Sequence, residues 1–207
     1  MRIQIILTTL LALSCNMHAH YKHTKIIDDL NSGNTEFQNN YQTKRDHEHR
    51  QAKAIVFACM DNPISPSNLF KQDDGDLWVI RQAGPVYNQH LAKSLSIAVN
   101  SMNIPTIVVL GDTPCDILTH ACNQPIDQIE SNLVKPIQDA KTKHPTLSCE
   151  DPELIDQIST HNIHYQVQKI LEDNPDLKQL VNNKQVEIVG ALFDVRTGKV
   201  TWLSGSH

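Results

Sequence analysis

The chain has 207 residues and a formal net charge of −5, which is long enough for one domain that buries roughly 70% of its unfolded surface. No run of Lys and Arg could neutralise a row of phosphates, so nucleic acid is excluded as an expected partner.

The first residues predict a secretory signal peptide over residues 1–19. An apolar stretch runs from Ile3 to Cys15, and Met17-His18-Ala19 forms a cleavage-like end. The apolar run is shorter than the about 20 residues that cross a bilayer, so we expect no membrane span. We therefore expect a periplasmic or secreted protein of residues 20–207. A lipoprotein acylated at Cys15 is the weaker alternative.

The mature chain keeps an even number of cysteines in a compartment predicted to be oxidising, so disulfides have to be considered. Cys122 fits an apolar helical stripe and Cys149 lies in a predicted loop. The other two are Cys59 and Cys115, each at the end of an apolar run.

The segment from Thr24 to Tyr41 predicts an amphipathic helix, interrupted at Asn31-Ser32-Gly33-Asn34. Its apolar stripe is sparse. We expect an N-terminal helical arm that lies on another surface.

Three apolar, partly β-branched runs predict strands, of which the first suits burial on both faces of a parallel sheet and the third is also predicted to be buried. They are Ala54 to Cys59, Leu77 to Ile80 and Thr106 to Leu110. Between the second and third, Gln89 to Asn103 carries apolar residues at helical spacing. Alternating strands and helices of this kind indicate an α/β fold.

The rest of the chain continues this pattern. Helices are predicted at Ile126 to Ala140 and Pro152 to Leu171, and the segment from Val186 to Leu203 has the form of a hairpin around a Gly-containing turn. We expect a single α/β domain with a mostly parallel sheet flanked by helices, an N-terminal helical arm and a C-terminal β-hairpin.

Two of the buried strands end in residues that could bind a metal. Cys59-Met60-Asp61 follows the first strand, and Asp112-Thr113-Pro114-Cys115 follows the third. Ligands gather at the carboxyl ends of parallel strands, and two thiolates with one or two carboxylates could complete a tetrahedral zinc site. On spacing alone, two cysteines buried as small hydrophobic residues would explain the pattern equally well.

The segments around these residues resemble the β-carbonic anhydrases over about residues 25–204. Ala58 to Pro66 is similar to the family's first motif, Cys-x-Asp-Ser-Arg, and Ile107 to Gly111 with Cys115 follows in the family's order. Further similar segments are Leu30 to Phe37, Gly75-Asp76-Leu77, Ile80-Arg81, Ala83-Gly84, Asn162 with Val167, and Gly190 to Val195 with Thr197-Gly198.

The resemblance implies a zinc enzyme that hydrates carbon dioxide to bicarbonate. In the family two Cys and one His hold zinc, and an Asp-Arg dyad lies beside the metal. This gives Cys59 and Cys115 as metal ligands and Asp61 as the catalytic carboxylate. It also implies a homodimer or a higher homo-oligomer, with the first helix embracing the partner chain.

Two positions depart from the family's pattern. Asp112 stands where the His of His-x-x-Cys is expected, and Pro63 stands where the dyad Arg is expected, with no Arg in this motif to substitute. Freed from an Arg, Asp61 can reach the metal and close the site as Cys59, Asp61, Asp112 and Cys115. An ionised Asp112 also opposes proton loss from a metal-bound water. We therefore expect reduced activity.

Other interpretations stay open at this stage. The chain could be a non-catalytic binding or scaffold protein with a structural zinc, since four protein ligands are typical of such sites. Cys59 and Cys115 could instead form a disulfide. His90 lies near the presumed cleft and is a further candidate for the missing ligand.

Overall fold

The computed structural model describes residues 25–41 and 51–203, which belong to two compact units divided after Arg45. The first unit contributes one described helix, α1, over residues 25–40. The second contains the sheet and the remaining helices. The predicted signal peptide lies outside the described residues.

Helix α1 is continuous, so the interruption predicted at its centre is wrong. Side-chain hydrogen bonds one turn apart run through this polar stretch: Thr35 Oγ1 donates to the Asn31 carbonyl (2.9 Å), and Gln38 Nε2 donates to Asn34 Oδ1 (2.6 Å). A Gly inside a helix costs only about 1 kcal/mol relative to Ala. Gly33 is therefore tolerated where neighbouring residues support the helix.

The second unit is built on a five-stranded sheet in the order β2-β1-β3-β4-β5. The first four strands are parallel, and β5 runs antiparallel to β4 as the C-terminal hairpin. This confirms the predicted fold class. The strands are β1 (Ala54–Cys59), β2 (Leu77–Gln82), β3 (Thr106–Thr113), β4 (Glu187–Asp194) and β5 (Lys199–Leu203).

Helices connect the parallel strands. They are α2 (Pro66–Leu69), α3 (Gln89–Ser96), α4 (Asp116–Cys122), α5 (Ser131–Lys143), α6 (Pro152–Asp173) and α7 (Pro175–Asn182).

Three details of these helices differ from the sequence prediction. Helix α3 continues as a π-helical segment at Ile97–Ser101. The helix predicted from Ile126 begins at Ser131, after a 3₁₀ turn at Ile126–Gln128. Helix α7 was not predicted. Within the described ranges, no helix combines the length and apolar composition needed to cross a membrane.

Strand β1 lies inside the sheet and is buried along its whole length. Ile55 and Phe57 belong to the core shared with α3, α6 and α7, whereas Val56 and Ala58 belong to a second cluster on the other side. Residues of a strand alternate between the two faces of a sheet, so both faces of β1 are covered. The last residue of the strand, Cys59, therefore lies in the protein interior.

Candidate metal centre

The carboxyl ends of β1 and β3 bring together the four side chains that the sequence singled out. The Sγ atoms of Cys59 and Cys115 are 3.8 Å apart. One ligand atom from each of these cysteines, from Asp61 and from Asp112 lies within 4.8 Å of the other three. Cys59, Cys115 and Asp112 are buried, and Asp61 is half-buried. This juxtaposition follows from parallel pairing of the two strands.

The backbone beyond β2 supports the thiol of Cys59. The amide of Gly84 donates to Cys59 Sγ over 3.1 Å, and Gly84 has a φ of +71°. L side chains rarely adopt this conformation, so glycine is required at this turn. The hydrogen bond from this turn therefore positions the Cys59 sulfur, the atom through which a cysteine binds metal.

Helix α6 fixes the backbone that carries Asp112. Ser159 Oγ donates to the Asp112 carbonyl (3.0 Å), and Thr113 Oγ1 donates to Asp156 Oδ1. At the preceding residue, Gly111, a Cβ would lie only 2.7 Å from Ile163 Cδ1. The absence of a side chain at Gly111 therefore allows α6 to lie directly against the end of β3.

The carboxylates of the cluster have incomplete hydrogen bonding. Asp61 Oδ2 accepts from the Ile117 amide (3.1 Å) and lies 3.8 Å from Cys115 Sγ. In contrast, Asp61 Oδ1 and Asp112 Oδ1 are buried without a hydrogen-bond partner. Buried acceptors left unpaired are costly, and the same cluster contains two free thiols. A divalent cation would satisfy all four groups.

Electrostatics point to the same conclusion. Burial raises the pKa of Asp112 to about 7, and the nearby Asp61 carboxylate adds to this rise, while the Arg81 guanidinium opposes it. A hydrogen bond with Cys59, together with burial, raises the pKa of the Cys115 thiol. Four anionic groups this close together therefore need either protons or a cation.

Two of the alternative interpretations differ from the structure. Cys59 and Cys115 are free rather than joined in a disulfide. His90 is exposed in the first turn of α3 and does not belong to the cluster. Within the part of the chain that the structure describes, a disulfide joins Cys122 to Cys149 instead. Four cysteines allow three pairings, and sequence alone cannot choose among them.

The role of one residue near the site was missed by sequence reasoning. Arg81, on β2 opposite Ala58 of β1, donates from Nη1 to the Asn62 carbonyl (2.8 Å) and from Nη2 to the Ile64 carbonyl (2.7 Å). Its guanidinium thus holds the loop after β1 by the backbone. The exposed Pro63 lies between the two carbonyls.

The fold and the site together define an α/β protein with a Cys/Asp cluster that can hold a metal at the ends of adjacent parallel strands. The family model for carbonic anhydrase matches residues 54–200. The chain belongs to the β-carbonic anhydrase family.

Curated and solved proteins agree with this assignment. Carbonic anhydrase 2 of Mycobacterium tuberculosis is 24% identical over 148 residues, which cover 70% of this chain and 72% of that protein. The solved β-carbonic anhydrase CcaA superposes with a TM-score of 0.74 at 20% identity, covering 86% of this chain and 95% of that one. A tetrameric β-carbonic anhydrase of Sordaria macrospora superposes with a TM-score of 0.67 at 16% identity, covering 88% of this chain and 96% of that one.

Proposed function

We propose that this chain is an exported zinc protein that hydrates carbon dioxide reversibly to bicarbonate, with reduced activity. In this proposal Cys59, Asp61, Asp112 and Cys115 bind the zinc. The observation that carries the proposal is the pair of buried, unpartnered carboxylate oxygens beside two free thiols.

The spacing of the donor atoms fits zinc. Two sulfurs bound to one tetrahedral zinc at about 2.3 Å would be about 3.8 Å apart. The Sγ atoms of Cys59 and Cys115 have this separation, 3.8 Å. Two thiolates and two carboxylates carry four negative charges, so a bound zinc ion would leave the centre with a net charge of about −2.

The residues of the cluster explain why activity would be reduced. When bound, zinc acts as a Lewis acid that makes a water molecule a better nucleophile toward carbon dioxide. One carboxylate oxygen of Asp61 lies in the ligand cluster, where it would compete with water for the fourth position on a bound zinc. Asp112 adds a negative charge where the family has a neutral His. Both residues therefore oppose the same step.

The closed ligand set also favours a second candidate function, a non-catalytic protein with a structural zinc. Structural sites have four protein ligands, whereas catalytic sites keep one position open. The two candidate functions differ in whether Asp61 leaves the zinc: in the enzyme it must give way to water, whereas in the structural site it stays bound. Measurable hydration that depends on bound zinc in the purified mature protein would support the enzyme. Stoichiometric zinc without hydration would support the structural role.

Zinc binding can be tested with a pair of matched substitutions. We expect the wild-type protein to bind one zinc per chain and Asp112→Asn to weaken zinc affinity by about 100-fold or more, because loss of a ligand should exceed the about 10- to 100-fold that changes around the ligands cost. Asp116→Asn is the control, since Asp116 is exposed and lies outside the ligand cluster. Its zinc affinity should stay within a few-fold of the wild type.

Affinities are measured by competition with a chelator, and zinc content by elemental analysis. Equal loss of affinity in the two variants would show that Asp112 acts only through its charge. A wild-type zinc content far below one per chain would refute the metal centre altogether.

We further propose a homodimer or higher homo-oligomer. Helix α1 exposes an apolar stripe that includes Ile26, Leu30 and Phe37. Strand β2 lies at one edge of the sheet and leaves Trp78 and Val79 partly exposed. Apolar stripes and unpaired strand edges are surfaces through which chains associate.

The contribution of α1 has a direct test. Leu30→Glu should weaken self-association by about tenfold or more, because an exposed leucine would lose its burial in the interface. Ser32→Glu introduces the same side chain about 200° further round the helix and should have a much smaller effect. Sedimentation equilibrium on both variants measures this, and a monomeric wild type at micromolar concentration would contradict the proposal.

Export is supported by two observations. The apolar segment at residues 1–19 has the form of a signal peptide. The Cys122–Cys149 disulfide is typical of proteins that fold in an oxidising compartment. Both features fit a periplasmic or secreted protein.

A further inference from the structure

Arg81 connects the end of β2 to the loop that carries Asp61. Its two terminal nitrogens donate to the carbonyls of Asn62 and Ile64, at 2.8 and 2.7 Å. Guanidinium groups with two charge-assisted hydrogen bonds have a fixed orientation, which a lysine cannot reproduce. The loop after β1 is therefore held by a residue of β2, which lies outside the sequence motif that contains Asp61.

Asp61 depends on this loop for its orientation. Its Oδ2 accepts from the amide of Ile117, the second residue of α4, at 3.1 Å. That amide has no partner within its own helix, because the first turn of a helix leaves its N–H groups free. The other oxygen, Oδ1, is buried without a partner, and Asp61 offers one of its two oxygens to the ligand cluster. A small rotation of the loop would remove both oxygens from these positions.

The loop is anchored just before Asp61, where the Met60 amide donates to the Gln82 carbonyl (2.8 Å), and Ile64 packs against a core cluster. Beyond Asp61 its backbone has few other polar contacts. Pro63 lacks an amide hydrogen, and the side chain of Asn62 makes one short-range bond, accepting from the Ile64 amide at 3.0 Å. This bond shapes the turn but does not connect it to the sheet. In contrast, Arg81 belongs to a strand that pairs directly with β1.

We propose that Arg81 is a positioning residue: by holding the carbonyls of Asn62 and Ile64, it keeps the Asp61 carboxylate against α4 and within the ligand cluster. An arginine in place of Pro63 would hold the carboxylate itself, away from the metal. Arg81 holds the backbone and leaves the carboxylate free to bind. The inference deepens the proposed metal centre and rests on its ligand set.

The first test needs no metal. In metal-free, isotopically labelled protein, hydrogen exchange at the Ile117 amide reports whether Asp61 still accepts from it. We expect Arg81→Met to accelerate this exchange about tenfold, Arg81→Lys to have a smaller effect, and Lys93→Met, which removes an exposed cation from α3, to have none. In an Asp61→Ala background, Arg81→Met should add nothing further, because the acceptor through which it acts has been removed.

The second test uses Co²⁺ in place of zinc. The visible absorption of bound Co²⁺ depends on its ligands, so Arg81→Met should shift the spectrum toward that of Asp61→Ala, and Arg81→Lys should restore part of the wild-type spectrum. Unchanged Ile117 exchange in folded Arg81→Met protein would overturn the inference. An effect of Arg81→Met on Ile117 exchange that is equally large in the Asp61→Ala background would also overturn it. If wild-type protein binds no Co²⁺, the metal centre fails, while the amide exchange still decides the role of Arg81.

Discussion

Asp112→His combined with Pro63→Arg should raise carbon dioxide hydration by about tenfold or more over the wild type, which needs an activation barrier lower by only about 1.4 kcal/mol. Asp112→His removes a negative charge from the ligand set. Pro63→Arg introduces a guanidinium that can pair with Asp61 through two hydrogen bonds and draw it out of the cluster. Position 63 is exposed, so the longer side chain can be accommodated.

Each single substitution should achieve much less than the pair. With Asp112→His alone, Asp61 still competes with water, and with Pro63→Arg alone, Asp112 still adds its charge. The two effects should therefore be strongly non-additive, as expected for groups that act on one step. A hydration assay on the four proteins, each with its zinc content confirmed, tests this. Wild-type turnover equal to that of the double variant would show that Asp112 supports the chemistry as it stands.

Loss of the Cys122–Cys149 disulfide should lower the free energy of unfolding of the protein by several kcal/mol, about the size expected for a loop of this length. The bond closes a loop with a sequence separation of 27 residues. The chain-entropy relation assigns such a loop about 3.6 kcal/mol at 25 °C. We expect the variant Cys122→Ser with Cys149→Ser to lose roughly this much free energy of unfolding, measured by urea denaturation.

Reductant provides the control for this experiment. A thiol reductant should lower the stability of the wild type toward that of the double variant and leave the variant itself unchanged. Because Cys122 ends α4, which begins directly after Cys115, the double variant should also bind zinc more weakly. Equal unfolding free energies for wild type and variant under oxidising conditions would contradict the prediction.

Much of the fold could be predicted because its strands are continuous apolar runs. Such runs indicate burial on both faces, and alternation with helices then implies a parallel sheet. The missed helix, α7, has only eight residues, which is too few to show a clear period. Its Leu177 is nevertheless buried in the core, so tertiary packing stabilises it. The break predicted in α1 at Asn31-Ser32-Gly33-Asn34 is wrong because a single Gly costs a helix only about 1 kcal/mol relative to Ala.

For the candidate site, too, some features could be predicted from the sequence and others could not. The juxtaposition of Cys59 with Asp112 and Cys115 follows from strand ends, which sequence reveals. The positions of Arg81 and of the Cys122–Cys149 pair depend on how side chains cross from one element to another. Arg81 lies opposite Ala58 because β2 pairs with β1 in one particular register. No pattern within a single segment contains that information.

The ligand cluster consists of two pairs that are each local in the chain, Cys59 with Asp61 and Asp112 with Cys115. Between the pairs the separation is long, 54 residues from Asp61 to Cys115. An unfolded chain presents only one pair at a time, so four-fold coordination exists only after β1 and β3 have come together. A cation held by both pairs acts as a cross-link, which couples its binding free energy to folding. At a free concentration a thousandfold above Kd it would add about 4 kcal/mol of stability. Resistance of the chain to unfolding would therefore rise with the metal supply of the compartment in which it folds.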